Sequence, residues 1–263
     1  MSSRIGAQMF TLREHCKTAK DMARTCQKLS DMGFEAIQSS AGAFNELEAG
    51  EIRKILDDTG LKCVATHRPF DALKDIDAAV EYHQTLGCEL TAIGGFGGGG
   101  KPESEWDAFL PEFSQVAKDL AAKGLRLGYH NHSHELAPFG LEDNPAGIDP
   151  KRCPLEKVLG ETDPSVWLEI DTYWIAHGGG DPAQWIERCA GRLPAVHIKD
   201  MTVTPKREHV MCEVGHGNLN WPRIIEACQN AGVEYYLIER DQGPVDPFES
   251  LKISLENLKQ MGV

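Results

Sequence analysis

No apolar run in this 263-residue chain approaches the ~20 residues needed to cross a bilayer, so no membrane span is expected. The eight cysteines (Cys16, Cys26, Cys63, Cys88, Cys153, Cys189, Cys212 and Cys228) form no C-x-x-C pair. That argues against a zinc ribbon or a disulfide framework; they read as small core fillers in a reducing compartment. Positive charge is scarce, with 27 basic against 40 acidic residues and a net charge of −13. A field of that sign repels phosphate backbones and anionic membranes, so neither is an expected partner. The glycine run Gly94-Gly95-Phe96-Gly97-Gly98-Gly99-Gly100 lacks both G-K-[ST] and a G-x-G-x-x-G opening a helix. It reads as a flexible loop beside a site, with N–H groups free for a phosphate or sugar. The start of the chain carries no signal-peptide h-region, because strand-like residues begin at once; a cytoplasmic location is expected.

What the chain does carry is alternation. Apolar strand-like runs at 5–10, 34–39, 61–67, 89–93, 124–128, 166–171, 194–199 and 234–239 alternate with amphipathic segments. The helical segments fall at 19–32, 45–59, 71–86, 103–123, 155–159, 182–190, 219–231 and 247–261. Gly33, Gly60 and Gly87 stop the first three. No linker or composition break divides residues 1–263, and eight strand–helix units close into one (β/α)8 TIM barrel. A doubly wound open sheet is the rival, but Met9-Phe10-Thr11-Leu12-Arg13 is not its glycine fingerprint.

Four strand ends carry chemistry: Tyr129-His130-Asn131-His132-Ser133-His134-Glu135, Glu169-Ile170-Asp171 with Trp174, His197-Ile198-Lys199-Asp200, and Glu239-Arg240-Asp241. Side chains alternate along a strand, so parity assigns Arg126, Gly128 and His130 to the barrel interior, with Trp167, Glu169 and Asp171 beside them. Ala195, His197, Lys199, Tyr235, Leu237, Glu239, Cys63, Ala65, His67, Arg4, Gly6 and Gln8 join them. The C-terminal mouth of such a barrel is where an active site forms. It gathers Gln8, His67, His130, His132, Glu135, Asp171, His197, Lys199 and Glu239. Several buried carboxylates together require a compensating cation, and a set of two Glu, one Asp and one His suits Mn²⁺, Mg²⁺ or Co²⁺. Arg126 and Glu169 are expected to form an ion pair beneath it.

Five stretches resemble the motifs of the xylose-isomerase-like barrel superfamily of sugar isomerases and epimerases, which also contains inosose dehydratases and an apurinic endonuclease. They are Gly6-Ala-Gln-Met-Phe-Thr-Leu-Arg13, Gly128-Tyr-His-Asn-His-Ser-His-Glu135, Glu169-Ile-Asp-Thr-Tyr-Trp174, Gly191-Arg-Leu-Pro-Ala-Val-His-Ile-Lys-Asp200 and Ile238-Glu-Arg-Asp241. The Tyr-His-Asn-His form is similar to a subgroup acting on 3-keto-sugars and their glycosides. The resemblance implies one divalent metal ion, Mn²⁺ first and Mg²⁺, Co²⁺ or Zn²⁺ as alternatives, held by Glu135, Asp171, His197 and Glu239. Many relatives carry Glu where His130 stands, which leaves His130 as the alternative to Glu135. The segment 139–154 is an insert beside the pocket, and Arg240 stands where a neutral residue is expected.

These readings imply an isomerase or epimerase of a sugar or keto-sugar, moving a proton next to a carbonyl. Glu135, Glu239, Lys199 and His132 are the candidate catalytic residues, with Glu135 and Glu239 flanking the substrate. Gln8, His67, His130 and Trp174 are candidate substrate contacts. The alternatives are a lyase, deglycosidase or dehydratase acting on a 3-keto-glycoside or inosose, and a non-catalytic sugar-binding barrel. A homo-oligomer is compatible with all of these and specified by none.

Overall fold

A computed structural model describes residues 5–40, 44, 46–141, 146 and 148–263. Eight parallel strands close into a barrel: β1 (Ile5–Gln8), β2 (Ala36–Ser39), β3 (Lys62–His67), β4 (Leu90–Ile93), β5 (Arg126–His130), β6 (Trp167–Asp171), β7 (Ala195–Ile198) and β10 (Tyr235–Ile238). Each pairs with its sequence neighbour, and β10 returns to β1. Helices α1 (Ala19–Asp31), α2 (Ala49–Thr59), α4 (Ile76–Leu86), α5 (Glu103–Ala121), α6 (Pro154–Glu161), α8 (Pro182–Arg188), α9 (Trp221–Ala231) and α10 (Pro247–Gln260) alternate with them. Arg4 and Asn45, the first residues read as inward strand and second helix, lie outside the described residues, as does part of 139–154.

Local chemistry sets the helix ends. Thr18 accepts a hydrogen bond from Asp21 N to start α1, whose Met22, Thr25, Cys26 and Leu29 are buried. The segment read as one helix from Asp71 splits into α3 (Phe70–Leu73) and α4, because Asp75 accepts from Ala78 N and restarts the chain as a cap. Three features were not anticipated. A 3₁₀ helix, Met9–His15, begins within the run read as strand one. A short helix α7 (Thr172–His177) follows β6, and an antiparallel hairpin, β8 (Asp200–Val203) with β9 (His209–Cys212), projects between β7 and α9.

The barrel interior has a floor and an upper layer. The floor is apolar: Ala65, Leu90, Ala92, Trp167, Ala195 and Leu237 form one buried cluster. Trp167 fills its centre and donates from Nε1 to Thr91 O and Arg126 O, both at 3.1 Å. Its ring lies so close to β5 that a Cβ on Gly128 would sit 2.3 Å from Trp167 Cε2, so only glycine fits there. Above the floor come Gln38, Glu169 and His197, and above them the open mouth.

One parity reading and one expected ion pair are corrected. A bulge shifts the β2–β3 register, pairing Ile37 with Cys63 but Gln38 with Ala65. Cys63 therefore packs in the outer core between barrel and helices, while Val64 borders the inner cluster. Arg126 lies at the exposed lower end of β5, and Glu169 pairs in register with His130, not with Arg126. Four residues of strand, roughly 13 Å, separate the two levels. Glu169 finds its partners in Gln38, His67 and His197 instead. Among the described residues no cysteine is in a disulfide, and seven of the eight are buried.

Candidate active site

β5, β6, β7 and the residue after β10 deliver His130, Asp171, His197 and Glu239 to one point at the mouth. One ligand atom from each lies within 4.8 Å of the others, and all four are buried. His130 Nε2 is 3.3 Å from Asp171 Oδ2, and His197 Nδ1 is 2.9 Å from Glu239 Oε2 and 3.6 Å from Asp171 Oδ2. Lys199 Nζ sits beside them, 3.0 Å from Asp171 Oδ2, 2.7 Å from Glu239 Oε2 and 2.9 Å from Asp241 Oδ1. His130 Nδ1, His197 Nδ1 and Glu239 Oε2 are buried without a hydrogen-bond partner of acceptable geometry.

The electrostatics follow from this crowding. Burial alone raises the Asp171 carboxyl, but the Lys199 ammonium and His130 overcome it and hold it well below the usual carboxylate range. Burial lowers the His197 imidazole, yet the carboxylates of Glu169 and Glu239 outweigh it and raise that ring well above its ordinary value. His130, facing His197 rather than a surplus of carboxylate, is pushed down to about 3 by burial and by that neighbouring ring. Asp241 is pushed up to about 6 by burial and by Glu239. One ammonium thus answers three carboxylates, and His197 holds a proton that a divalent cation would displace on ligation. The donor set fits such an ion: two imidazoles and two carboxylates with ligand atoms gathered together, among them His197 Nδ1 and Glu239 Oε2, which are buried and unpartnered.

Glu135 is not part of this cluster. It sits in a 3₁₀ turn, Ser133–Leu136, where Oε1 accepts from Tyr129 Oη at 2.9 Å and Oε2 from His132 N at 2.8 Å. Burial raises its carboxyl, but the His134 contact outweighs that and holds it below the usual range. Of the expected ligands, Asp171, His197 and Glu239 come together, joined by His130, the alternative to Glu135, because β5 ends with His130 inward while the turn carries Glu135 away. Glu239 lines the cavity above the cluster, and Glu135 is not among its lining residues.

A cavity of about 380 Å³ opens above the cluster, lined by Gln8, His67, His130, His132, Lys199 and Glu239 among others. Asp171 and His197 lie behind this lining. So does Trp174, whose ring backs His132 at 5.4 Å and Lys199 Nζ at 5.7 Å, and whose N donates to Asp171 Oδ1. Gln8 spends its carbonyl oxygen on Phe10 N and Ser40 Oγ, so only its amide N–H groups are available to a ligand. His67 Nε2 is hydrogen-bonded to Glu169, which turns Nδ1 toward the cavity side. A larger cavity, about 640 Å³, opens at the other end of the barrel between residues including Arg53, Lys62, Arg126 and Glu234. No histidine lines it, and the chemistry belongs to the mouth.

Gln38 and Arg68, which lines the cavity, were not singled out from the sequence, and Asp241 was noted only as part of the strand end Glu239-Arg240-Asp241. Gln38 shares its side of β2 with Ala36 by alternation, and Asp241 continues the Leu237, Glu239 alternation, so both were within reach of parity. The glycine run is anchored at Phe96, whose N donates to Tyr129 Oη at 2.9 Å and whose ring stacks on Phe109. The charge on Arg240 is answered by an ion pair with Glu213, which ties the chain after β9 to the end of β10.

A closed parallel barrel with a histidine and carboxylate cluster at its C-terminal mouth has the layout of a TIM-barrel enzyme. The chain belongs to the Xylose isomerase-like TIM barrel family, whose profile matches residues 26–261. It is 25% identical over 174 residues to the rhizopine catabolism protein MocC of Rhizobium meliloti, covering 60% of this chain and 50% of that protein. It is 26% identical over 147 residues to the inosose dehydratase of Geobacillus kaustophilus, covering 50% of this chain and 44% of that one. The chain thus spans about half the length of the curated relatives it matches. A sugar phosphate isomerase/epimerase from Parabacteroides distasonis shares the fold, with a TM-score of 0.79, 24% identity and 97% of each chain covered. Among the described residues no helix is long and apolar enough to cross a membrane.

Proposed function

We propose that this protein is a divalent-metal-dependent enzyme that isomerises or epimerises a sugar or keto-sugar by moving a carbon-bound proton. The observation that carries the reading is the buried His130, Asp171, His197, Glu239 cluster under a polar cavity of about 380 Å³. With His130 in place of Glu135 the ligand set has two nitrogens and two carboxylates, which suits Mn²⁺, Co²⁺ or Zn²⁺ and disfavours Mg²⁺. When bound, the ion supplies Lewis-acid stabilisation of the negative charge that builds on a substrate oxygen.

The remaining steps fall to side chains. Lys199, charged and buried, sits where an oxyanion would gather and adds a fixed donor. His67 donates Nε2–H to Glu169 and offers Nδ1 to the cavity, the arrangement of an oriented general base. Glu239 lines the same cavity and is the second proton-transfer group. His132 and Gln8 supply hydrogen bonds to hydroxyl groups. Removal of a proton by one group and its return by the other, on the same or a neighbouring carbon, gives epimerisation or isomerisation.

The match to an inosose dehydratase supports a second reading, in which the same proton removal is followed by loss of a hydroxyl group. A panel of sugars, inososes and 3-keto-glycosides, assayed with Mn²⁺ in deuterated water, separates them. An isomer bearing one solvent deuterium is the expected product. An unsaturated product, or a sugar plus an aglycone, establishes the lyase reading, and tight sugar binding unaffected by EDTA without turnover establishes a binding protein.

A further inference from the structure

The loop that carries Glu135 away from the mouth builds a second group of donors. His132, His134 and Glu135 each offer one atom within 4.8 Å of the others. His132 Nδ1 and His134 Nε2 are buried atoms with no hydrogen-bond partner. His134 Nε2 stands 3.2 Å from Glu135 Oε1. That separation matches the ~3.3 Å edge of a tetrahedron around an ion with bonds of about 2.0 Å. We propose that His132, His134 and Glu135 form a second metal site, separate from the cluster at the barrel mouth, with a donor set that takes Zn²⁺.

The surroundings are those of a prepared site. Glu135 is fully buried and already oriented, with Tyr129 Oη on one oxygen and His132 N on the other, the outer-shell contacts that fix a ligating carboxylate. Tyr129 Oη in turn accepts from Phe96 N, so the glycine run is tied to the same carboxylate. Gly95 adopts φ +121°, and a Cβ there would stand 3.4 Å from Glu135 Oε1 and 3.5 Å from His132 Nδ1. Glycine thus keeps open the space in front of both donors. Access exists from two sides: His132 and Gly95 line the catalytic cavity, and His134 lines a neighbouring cavity of about 490 Å³ bounded by Gly98, Gly99 and Gly100. Two imidazoles and one carboxylate leave a fourth position for water, the ligand count of an open zinc site. An ion there would bind the carboxylate that Tyr129 Oη and Phe96 N already tie to the glycine run, so the site would sit at the anchor of the loop that walls the cavity.

The experiment is metal titration of the full chain with Zn²⁺ and, for its visible spectrum, Co²⁺. Bound metal is counted after gel filtration for the wild type, Asp171→Asn and His134→Ala. The expected result is two ions in the wild type and one in each variant, with the two variants losing different cobalt absorption bands. His134 lies at the loop surface, and circular dichroism checks that its variant folds; His134→Gln serves if alanine does not. Loss of a ligand should weaken the second ion at least about 10-fold. If His134→Ala and His134→Gln bind as much metal as wild type with equal affinity, the three residues are only an ion pair and the proposal is overturned. It is equally overturned if Asp171→Asn binds no metal. Failure of the mouth cluster gives a different pattern, with Asp171→Asn unchanged and His134→Ala reduced.

Discussion

Gln38 Oε1 accepts a hydrogen bond from His197 Nε2 at 2.6 Å, so the ring's other nitrogen, Nδ1, is the one that faces Asp171 and Glu239. Gln38 is itself held by donating to Glu169 Oε1 at 2.8 Å. The chain Glu169, Gln38, His197 therefore fixes both the tautomer and the orientation of a proposed ligand from below. Replacing Gln38 by Leu should weaken metal binding roughly 10–100-fold, the usual effect of removing such a partner. Isothermal titration with Mn²⁺ or Zn²⁺ measures it; unchanged affinity in a folded variant removes Gln38 from the site.

Asp171 and His67 should separate binding from chemistry. Asp171→Ala removes a carboxylate that touches His130, His197 and Lys199, and the ion at the mouth should be lost with it. His67→Asn removes a ring that is not a ligand in the proposed set. It should keep that ion and lower turnover by about 10²–10⁴-fold. Metal analysis beside single-turnover rates reads both, and an inactive His67 variant that has also lost metal contradicts the division of roles.

Much of this site was legible because strand parity is strict. Each of His67, His130, Asp171, His197 and Glu239 lies at or just past the end of an alternating apolar run, and alternation alone turns it inward. Parity says nothing about height. Arg126 was correctly placed on the inner row of β5 and wrongly paired with Glu169, because stagger between β5 and β6 sets Glu169 level with His130. The placement of Glu135 was not legible for another reason. Five residues past the inward His130, in a 3₁₀ turn, its direction depends on Tyr129 Oη and His132 N rather than on a repeat. The β8–β9 hairpin escaped notice because its strands are four residues each and half exposed, too short for alternation to register.

His83 couples the outer core to pH. Its ring is buried and pushed down to about 4, mainly by burial. Nδ1–H donates to Ala79 O at 2.6 Å, so Nε2, 2.8 Å from Thr66 Oγ1, is the acceptor. Because the folded value lies below the unfolded 6.5, the unfolded chain binds the extra proton. The stability this residue contributes is complete above pH ~6.5 and is lost as pH falls toward ~4, to a limit of roughly 3 kcal/mol. Urea unfolding of wild type and His83→Gln at about pH 7 and 4.5 should give a shallower pH slope in the variant. Equal slopes would assign the acid sensitivity elsewhere.

Gly128→Ala tests the barrel floor. The added Cβ would meet three atoms of the Trp167 ring between 2.3 and 2.7 Å, among them Nε1, whose hydrogen bonds to Thr91 O and Arg126 O hold the ring in place. Overpacking of this kind costs about 1–3 kcal/mol. The urea midpoint should fall accordingly, and a midpoint equal to wild type would mean that Trp167 can move aside.

Glu239 carries the sharpest prediction for the chemistry. It lines the cavity, and its Oε2 stands 2.7 Å from Lys199 Nζ and 2.9 Å from His197 Nδ1. Burial raises this carboxyl, but Lys199 and His197 outweigh it and hold it far below the ordinary range, so it is ionised at neutral pH. An ionised carboxylate at the wall of the cavity has one oxygen for the cluster and one for a substrate proton. Glu239→Gln keeps an oxygen for the ion but cannot accept a proton. If Glu239 moves the proton, this variant should retain metal and exchange substrate hydrogen with deuterated water at least ~10²-fold more slowly. If instead exchange runs at the wild-type rate with metal in place, Glu239 is a ligand only, and the proton belongs to His67. Combining Glu239→Gln with His67→Asn then decides whether the two act in sequence: groups that serve one proton relay lose little more together than singly, whereas independent groups multiply their effects.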